Sequence, residues 1–377
     1  MNKKNEKQFF ELIQSVLWQR QPDACLFDGT TQWTEIVDSL EAHAMLGLVG
    51  DAIMSLPVPV RPGEEICQRI RRYVGSLVRE HYKHDKAIGE VVRRLEEENI
   101  GCVLLKGQAL SDLYPMKNMR SIGDIDLYVG MDNYTKAMRI INDYCGVKAD
   151  DVYASPENIH GTAEVMSPQW MRGVKFEIHY KAADTAIQSI SEDYNQWLHE
   201  RMMHGPHRMV NIGGYVVKTP GAEWGGVYLF EHLLKHLRYE GVGYRQFVDW
   251  LLYLRTESID EQRLREYLQR FKILDAWQVL GGVLVWQLGL PEAQFPLWNK
   301  SKARHSQGRN LRYITDSANL GQGTAQSKGY YDMAASWHRT LRAAAYYARF
   351  TMFEYRLFPS DTLQRQFHRL MEKIEKH

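Results

Sequence analysis

The spacing of apolar side chains predicts that most of the chain is helical. Apolar residues recur three and four positions apart over residues 6–20 and 33–56, which is the pattern of amphipathic helices. Three prolines then break the pattern, and residues 64–98 are typical of one long helix or two consecutive helices. This pattern ends at Asn99–Gly101 and returns from Glu223 to the end of the chain. We therefore expect helical regions on both sides of a different central segment.

The central segment is predicted to contain β-strands. Short apolar runs and alternation of polar and apolar side chains are typical of strands, and helical patterns separate them. The predicted strands are Cys102–Leu105, Asp124–Val129, His160–Met166 and Val174–Tyr180, and the predicted helices between them are Gln108–Leu113 and Asn133–Tyr144. The fold class is therefore predicted to be α+β, with a small mixed sheet and helices.

The chain divides by pattern into three regions. We predict a helical N-terminal region over 1–82, an α/β core over 83–220 and a helical C-terminal region over 221–377. Residues 317–329 are rich in Gly, Ser and Gln, which is typical of a mobile loop. No internal repeat is evident in the sequence.

Composition and charge narrow the classes of protein. The 377 residues are 44% hydrophobic and 25% charged, which is typical of a folded protein and excludes a mainly disordered chain. The formal net charge of +1 gives no global field that would favour nucleic acid or an anionic membrane. Four cysteines without a CxxC pair, and no apolar leader, predict a cytoplasmic protein. The apolar stretch 273–290 contains polar residues and a Gly pair, so we expect a buried core helix there and no membrane insertion.

The candidate chemistry lies on two of the predicted strands. Asp124 and Asp126 alternate with apolar residues, so both carboxylates should project from one face of their strand. Glu177 alternates with apolar residues in the same way on the predicted strand Val174–Tyr180. Neighbouring carboxylates repel each other unless a cation lies between them, and three of them could hold two Mg²⁺ (or Mn²⁺) ions. The alternatives are a solvent-facing strand with chance carboxylates, and a simple ion pair between Glu177 and Lys175.

A phosphate site is predicted next to these carboxylates. Gly107 follows a short strand and begins a short helix, where exposed backbone N–H groups and close approach favour a phosphate. Lys106 and Arg120 are candidate counter-charges for it, and Gln108 is a further candidate nucleotide-binding residue.

The stretch "LLKGQALSDLYPMKNMRSIGDIDLYV" resembles the LKG…YP…R…DIDLLV signature of the uncharacterised bacterial nucleotidyltransferase family. The strand, Gly, helix and Asp-x-Asp order also looks like the superfamily that includes DNA polymerase β. The resemblance covers roughly residues 9–257. It implies an enzyme that transfers a nucleoside monophosphate from an NTP, ATP among the candidate donors, with Asp124, Asp126 and Glu177 as catalytic metal ligands. Gln108 departs from the small residue usual after Gly107, and the gap from Gly107 to Asp124 is longer than usual.

The acceptor side is predicted from polar residues outside these motifs. His179 matches the His of the family's acidic strand, and by the resemblance Asp249 faces the cleft. His232 and His236 lie one helical turn apart, as do Arg245 and Asp249. We expect these five residues to border the acceptor, which could be a sugar, a small molecule, RNA or a protein. A basic stretch at residues 299–313 is a solvated face or a contact for a phosphate-rich acceptor.

Two other functions remain open at this stage. An Asp-x-Asp glycosyltransferase would bind Mn²⁺ and a nucleotide-sugar, and alternating strands and helices before the Asp-x-Asp would favour it. A catalytically silent binding or regulatory protein could keep the nucleotidyltransferase fold without needing all three carboxylates to converge.

Overall fold

The computed structural model describes residues 2–147, 159–183, 185, 187–308, 352–359 and 362. They form two compact units. Unit 1 comprises residues 1–184, 193–228 and 256–258, and unit 2 comprises residues 185–192, 229–255 and 259–377. The predicted mobile loop at 317–329 lies outside the described residues. Regions 1–82 and 83–220 fall in unit 1 except for residues 185–192, which belong to unit 2, and the division into three regions remains a prediction.

Most of the described helices follow the predicted pattern, but the helix over residues 191–204 was not predicted. The stretch predicted over 33–56 is two helices, and the one over 64–98 is a single long helix. The helices are α1 Lys3–Leu17, α2 Trp33–Ala42, α3 Leu46–Ser55, α4 Glu64–Glu97, α5 Gln108–Ser111, α6 Met131–Cys145, α7 Ser191–His204, α8 Ala222–Lys235, α9 Tyr244–Thr256, α10 Glu261–Arg270, α11 Leu274–Trp286 and α12 Lys300–Ala303, and a π-helical turn covers His236–Glu240.

The strands form one mixed sheet and one hairpin. They are β1 Val103–Leu104, β2 Ile125–Tyr128, β3 His160–Glu164, β4 Lys175–His179, β5 His207–Ile212 and β6 Tyr215–Pro220. In the four-stranded sheet the order is β1-β2-β4-β3, with β2 and β4 parallel and the outer strands antiparallel to their neighbours. The predicted α+β class with a small mixed sheet is confirmed.

One face of this sheet is covered by the C-terminal half of α4. Its apolar positions, from Ala87 to Leu95, lie in the same buried core as Ile125, Leu127 and Phe176 of the sheet. Helical spacing places these positions on one side of α4, as the sequence predicted. Asn99, with a positive φ of 58°, follows the end of α4 and turns the chain toward β1, which begins at Val103. A rigid helix therefore supports the strands that carry the carboxylates.

The hairpin of β5 and β6 was not predicted. Its turn is Gly213–Gly214, with φ of 62° and 92°, a conformation that favours glycine in a two-residue hairpin. A Cβ on Gly213 would collide with the carbonyl oxygen of Asp85 in α4. The signal was present as a Gly-Gly pair between two alternating runs.

Unit 2 has an aromatic core. Trp250 and Trp277 meet edge to face at 4.8 Å, and Phe230 and Phe295 contact both of them. The apolar stretch around α11 is buried, as predicted. Among the described residues there is no helix of the length and hydrophobicity that a bilayer crossing needs.

A buried histidine in unit 1 predicts acid sensitivity. His43 ends α2, lies edge to face with Phe9 at 5.5 Å, and has its pKa lowered to about 4 by burial. Because the unfolded chain binds this proton more tightly, stability should fall as pH drops from about 6.5 to 4, by up to about 3 kcal/mol. His43→Leu should flatten the slope of unfolding free energy against pH, measured by urea denaturation. Burial also lowers the pKa of His81 and His84, so part of the slope remains.

His204→Leu, at an exposed helical position, controls for loss of a histidine as such. Equal pH slopes in wild type and His43→Leu would contradict the prediction.

Candidate functional site

The sheet aligns two acidic strands in parallel. Asp126 of β2 is the register partner of Glu177 of β4, and Tyr128 is the partner of His179. Ile125 and Leu127, which flank Asp126 on β2, are buried in the core of the sheet. Strand alternation therefore brings Asp126 and Glu177 to the same face.

Three side chains on this face lie close together. His179 Nε2 is 3.1 Å from Asp126 Oδ1 and 3.9 Å from Glu177 Oε2. One nitrogen or oxygen from each residue lies within 4.8 Å of the others. We call Asp126, Glu177 and His179 the Asp126 cluster. Within the described ranges it is the group of acidic and His residues with a spacing suitable for a metal ion.

Lys106 brings a positive charge to the cluster. The Leu105 N–H donates a hydrogen bond to the Asp126 carbonyl at 3.0 Å, which continues the pairing of β1 with β2. This fixes Lys106 beside the acidic strand, and its Nζ lies 3.1 Å from Asp126 Oδ1. The same carboxylate oxygen therefore faces both an ammonium group and an imidazole.

The surroundings of the two carboxylates shift their pKa values in opposite directions. Burial alone would raise the pKa of Asp126, but the charge of Lys106 and the hydrogen bond from His179 outweigh it, so that pKa lies well below its usual range. Burial, followed by the negative charge of Asp126, raises the pKa of Glu177 to about 7. The metal-free cluster therefore holds one stable carboxylate and one whose ionisation is costly.

Asp124 is placed differently from the other two acids. It precedes β2, is half exposed, and its Oδ2 lies 3.5 Å from Lys175 Nζ. Lys175 Nζ is also 3.9 Å from Glu177 Oε1, so the ion pair considered from the sequence is present in a loose form. Asp124 is not part of the Asp126 cluster. Its role as a third metal ligand remains a prediction.

Comparison with known proteins agrees with this arrangement. A family described as "Uncharacterised nucleotidyltransferase" matches residues 29–283, which is well over half of the chain and includes the whole mixed sheet. The chain belongs to this family. The nucleotidyltransferase fold and the class of transferases follow from this membership.

A solved structure also resembles the chain. It is the crystal structure of an antigenic nucleotidyltransferase-like protein from Paracoccidioides brasiliensis, at 16% identity and a TM-score of 0.32, and the alignment covers 52% of this chain and 91% of that one. No curated protein matches the chain significantly.

The loop that the nucleotidyltransferase signature assigns to phosphates has the expected backbone. Gly107 has φ of 66° and ψ of −118°, a conformation that side chains rarely adopt, and it directly precedes α5. Gln108 is buried, and among the described residues neither atom of its amide has a hydrogen-bond partner. A buried amide without a partner costs about 1–3 kcal/mol, so this glutamine is unusual in a folded core.

Arg120 is more buried than a phosphate ligand on a surface loop would be. It is 5% exposed, its Nη1 donates to the Ser121 carbonyl at 3.1 Å, and its own carbonyl lies 2.7 Å from His81 Nε2. These contacts describe a structural role. Phosphate binding by Arg120 stays a prediction.

The residues predicted for the acceptor side divide between the units. His179 belongs to unit 1 and forms part of the Asp126 cluster, while His232, His236, Arg245 and Asp249 belong to unit 2. His232 and His236 are in contact through their Nε2 atoms at 3.0 Å. The role of the four unit 2 residues at the acceptor remains a prediction.

The basic stretch at 299–313 is partly neutralised. Lys300 pairs with Glu292 and Lys302 with Asp275, each at 2.9 Å. Arg304 begins a 3-10 turn over residues 304–306, and Arg309 and Arg312 lie outside the described residues.

Sequence reasoning missed His160. It begins β3, is the register partner of His179, and its Nε2 lies 3.8 Å from Glu177 Oε2. The two imidazole rings are 4.8 Å apart. Only the antiparallel pairing of β3 with β4 brings it here, and no motif in the sequence indicates that pairing.

Proposed function

We propose that the chain is a metal-dependent nucleotidyltransferase that moves a nucleoside monophosphate from an NTP to a hydroxyl acceptor. The observation that carries the proposal is the convergence of Asp126 and Glu177 beside Lys106, next to the Gly107 turn. Carboxylates for a cation and a lysine for phosphates are what this chemistry needs in one place. Family membership supports the same reaction class.

The residues of the cluster suit a divalent cation. Two carboxylates and an imidazole lie within 4.8 Å of one another, and burial together with the negative charge of Asp126 raises the pKa of Glu177 to about 7, so a cation would stabilise the ionised form. Asp126 and Glu177 would hold Mg²⁺ or Mn²⁺, with Asp124 as a further ligand. A bound cation would polarise the α-phosphate and stabilise the pyrophosphate that leaves.

The reaction is an in-line displacement at phosphorus. The acceptor oxygen forms a bond to the α-phosphorus, the bond from that phosphorus to pyrophosphate breaks, and the hydroxyl proton passes to water. Lys106 would neutralise phosphate charge, and the backbone at Gly107 would allow close approach of the phosphates. Arg120 would add positive charge nearby.

The acceptor is proposed to lie against the helical C-terminal region. His232, His236, Arg245 and Asp249 are the proposed lining residues, with His179 on the sheet side. Selectivity for the acceptor has to come from such elements, because the metal and phosphate sites are the same for any acceptor. The signature around Lys106 to Asp126 also supports a relationship with the DNA polymerase β superfamily.

Nucleotide binding provides the first test. The four NTPs are compared in thermal unfolding experiments with Mg²⁺, with Mn²⁺ or with EDTA. We expect at least one NTP with a cation to stabilise the protein by about 2.7 kcal/mol at 100 times its dissociation constant. EDTA should remove that stabilisation. If no NTP changes the unfolding temperature with either cation, the proposal is wrong.

One observation favours a second candidate, a nucleotide-binding protein without catalysis. Asp126 Oδ1 is already contacted by Lys106 and His179, and Gln108 occupies the position of the usual small residue. Stabilisation by NTPs without release of pyrophosphate, across a panel of hydroxyl acceptors, would support this candidate. The glycosyltransferase alternative would be favoured by alternating strands and helices before the Asp-x-Asp, but the described elements before β1 are helices.

A further inference from the structure

The Asp126 cluster contains a nitrogen donor as well as oxygen donors. His179 is the last residue of β4 and is 4% exposed, so its ring is fixed within the sheet face. Its Nε2 is directed toward both carboxylates of the cluster. The third group of the cluster that could bind a metal is thus an imidazole, since Asp124 lies outside the cluster and beside Lys175.

The spacing of these atoms suits ligands of one ion. Two atoms bound to one ion at right angles are about 3 Å apart, and two on opposite sides are about 4.2 Å apart. The 3.1 Å between His179 Nε2 and Asp126 Oδ1 fits adjacent ligands, and the 3.9 Å to Glu177 Oε2 lies between the two cases.

The donor types discriminate between cations. Mg²⁺ strongly prefers oxygen ligands and retains water, whereas imidazole nitrogen suits first-row transition metals. Mn²⁺ accepts carboxylate oxygens and is bound by mixed nitrogen and oxygen sets. A site of two carboxylates and one buried imidazole therefore matches Mn²⁺ better than Mg²⁺.

We propose that His179 is a metal ligand and that the Asp126 cluster binds Mn²⁺ in preference to Mg²⁺. The proposal rests on the proposed function only in taking this cluster as the cation site. It adds a bond to the metal to the acceptor-side role proposed for His179.

The test measures cation binding by the full chain without nucleotide. Metal-stripped protein is titrated with MnCl₂ and MgCl₂ by calorimetry, and bound Mn²⁺ is examined by electron spin echo envelope modulation. We expect wild-type protein to show coupling of Mn²⁺ to an imidazole ¹⁴N. His179→Gln keeps an N–H donor for Asp126 but removes the imidazole. It should lose the ¹⁴N coupling and at least about tenfold in Mn²⁺ affinity, with less than about a threefold change for Mg²⁺.

His160→Gln is the matched control, because His160 is the neighbouring imidazole and also lies near Glu177. It should keep the ¹⁴N coupling. The spectrum of the wild-type protein decides the question even if His179→Gln folds poorly.

Three results would overturn the inference: Mn²⁺ bound without ¹⁴N coupling, coupling that disappears in His160→Gln but not in His179→Gln, or no Mn²⁺ binding. Equal losses for both cations in His179→Gln would also overturn it, since they would assign His179 to orienting Asp126. If NTP stabilisation with Mg²⁺ persists in any of these cases, the proposed function stands and only the metal assignment fails.

Discussion

Asp126→Asn should lower nucleotidyl transfer by at least about a thousandfold, equivalent to about 4 kcal/mol of transition-state stabilisation. Asp126 is the buried carboxylate of the cluster and the partner of both Lys106 and His179. An amide has no negative charge for a cation. Release of pyrophosphate from the NTP that stabilises the wild-type protein measures the loss.

The same substitution should also destabilise the metal-free protein. Crowding of negative charge by itself predicts that neutralising either carboxylate stabilises the fold. For Asp126 the opposite is expected, because its low pKa means that the folded state favours the charged carboxylate, so neutralising it destabilises the fold. Its stabilising contribution is present above the unfolded pKa near 4 and is lost as pH falls through the lower folded value. We expect Asp126→Asn to cost about 1–3 kcal/mol at pH 7.

Glu177→Gln is the matched comparison. In the wild-type protein, burial raises the pKa of Glu177 from 4.5 to about 7, so the free energy of unfolding falls as pH rises from about 4.5 through 7. Gln removes this cost, and unfolding free energy in EDTA at pH 8.5 should rise by about 1–3 kcal/mol, with little difference at pH 4.5. Transfer should be lost in both variants. Equal stability changes in the two variants, or full transfer in either one, would contradict the assignment of the cluster.

Sequence alternation was sufficient to predict the acidic face. Asp126 and Glu177 each lie between core residues, so strand geometry alone places their carboxylates on the side away from the core. The signature around Lys106 and Gly107 likewise predicted a Gly turn, and Gly107 has the positive φ expected there. Local pattern and local structure agree in this part of the chain.

Pairing between strands was not predictable in the same way. The parallel register of β2 with β4 decides that His179 joins Asp126, and the antiparallel register of β3 decides that His160 faces Glu177. Register depends on contacts between residues distant in the chain, which periodicity does not contain. Alternation also predicted that Asp124 would project beside Asp126. Asp124 instead lies directly before β2, pairs with Lys175 and is not part of the cluster.

Lys106→Met should weaken NTP binding by about tenfold to a hundredfold, because a charge-assisted hydrogen bond to phosphate contributes about 1.5–3 kcal/mol. The Lys106 ammonium lies 3.1 Å from Asp126 Oδ1 and is about a quarter exposed, so it can reach a ligand in front of the sheet. Without nucleotide, the same variant should bind Mn²⁺ more tightly, since a positive charge that neutralises Asp126 has been removed. Opposite changes for the nucleotide and the cation are therefore expected from one substitution.

Lys175→Met tests whether the loss of NTP affinity comes from the contact between Lys106 and phosphate or from the removal of any positive charge near the cluster. Lys175 carries the same charge, lies near Asp124 and Glu177, and is 40% exposed, but it belongs to β4 and is not adjacent to Gly107 in the sequence as Lys106 is. Calorimetric titration of both variants with the stabilising NTP and with MnCl₂ measures the four affinities. If Lys106 binds phosphate, nucleotide affinity should fall much further in Lys106→Met than in Lys175→Met. Equal losses would instead assign nucleotide binding to the summed positive charge around the cluster, and unchanged affinity in Lys106→Met would exclude a phosphate contact there.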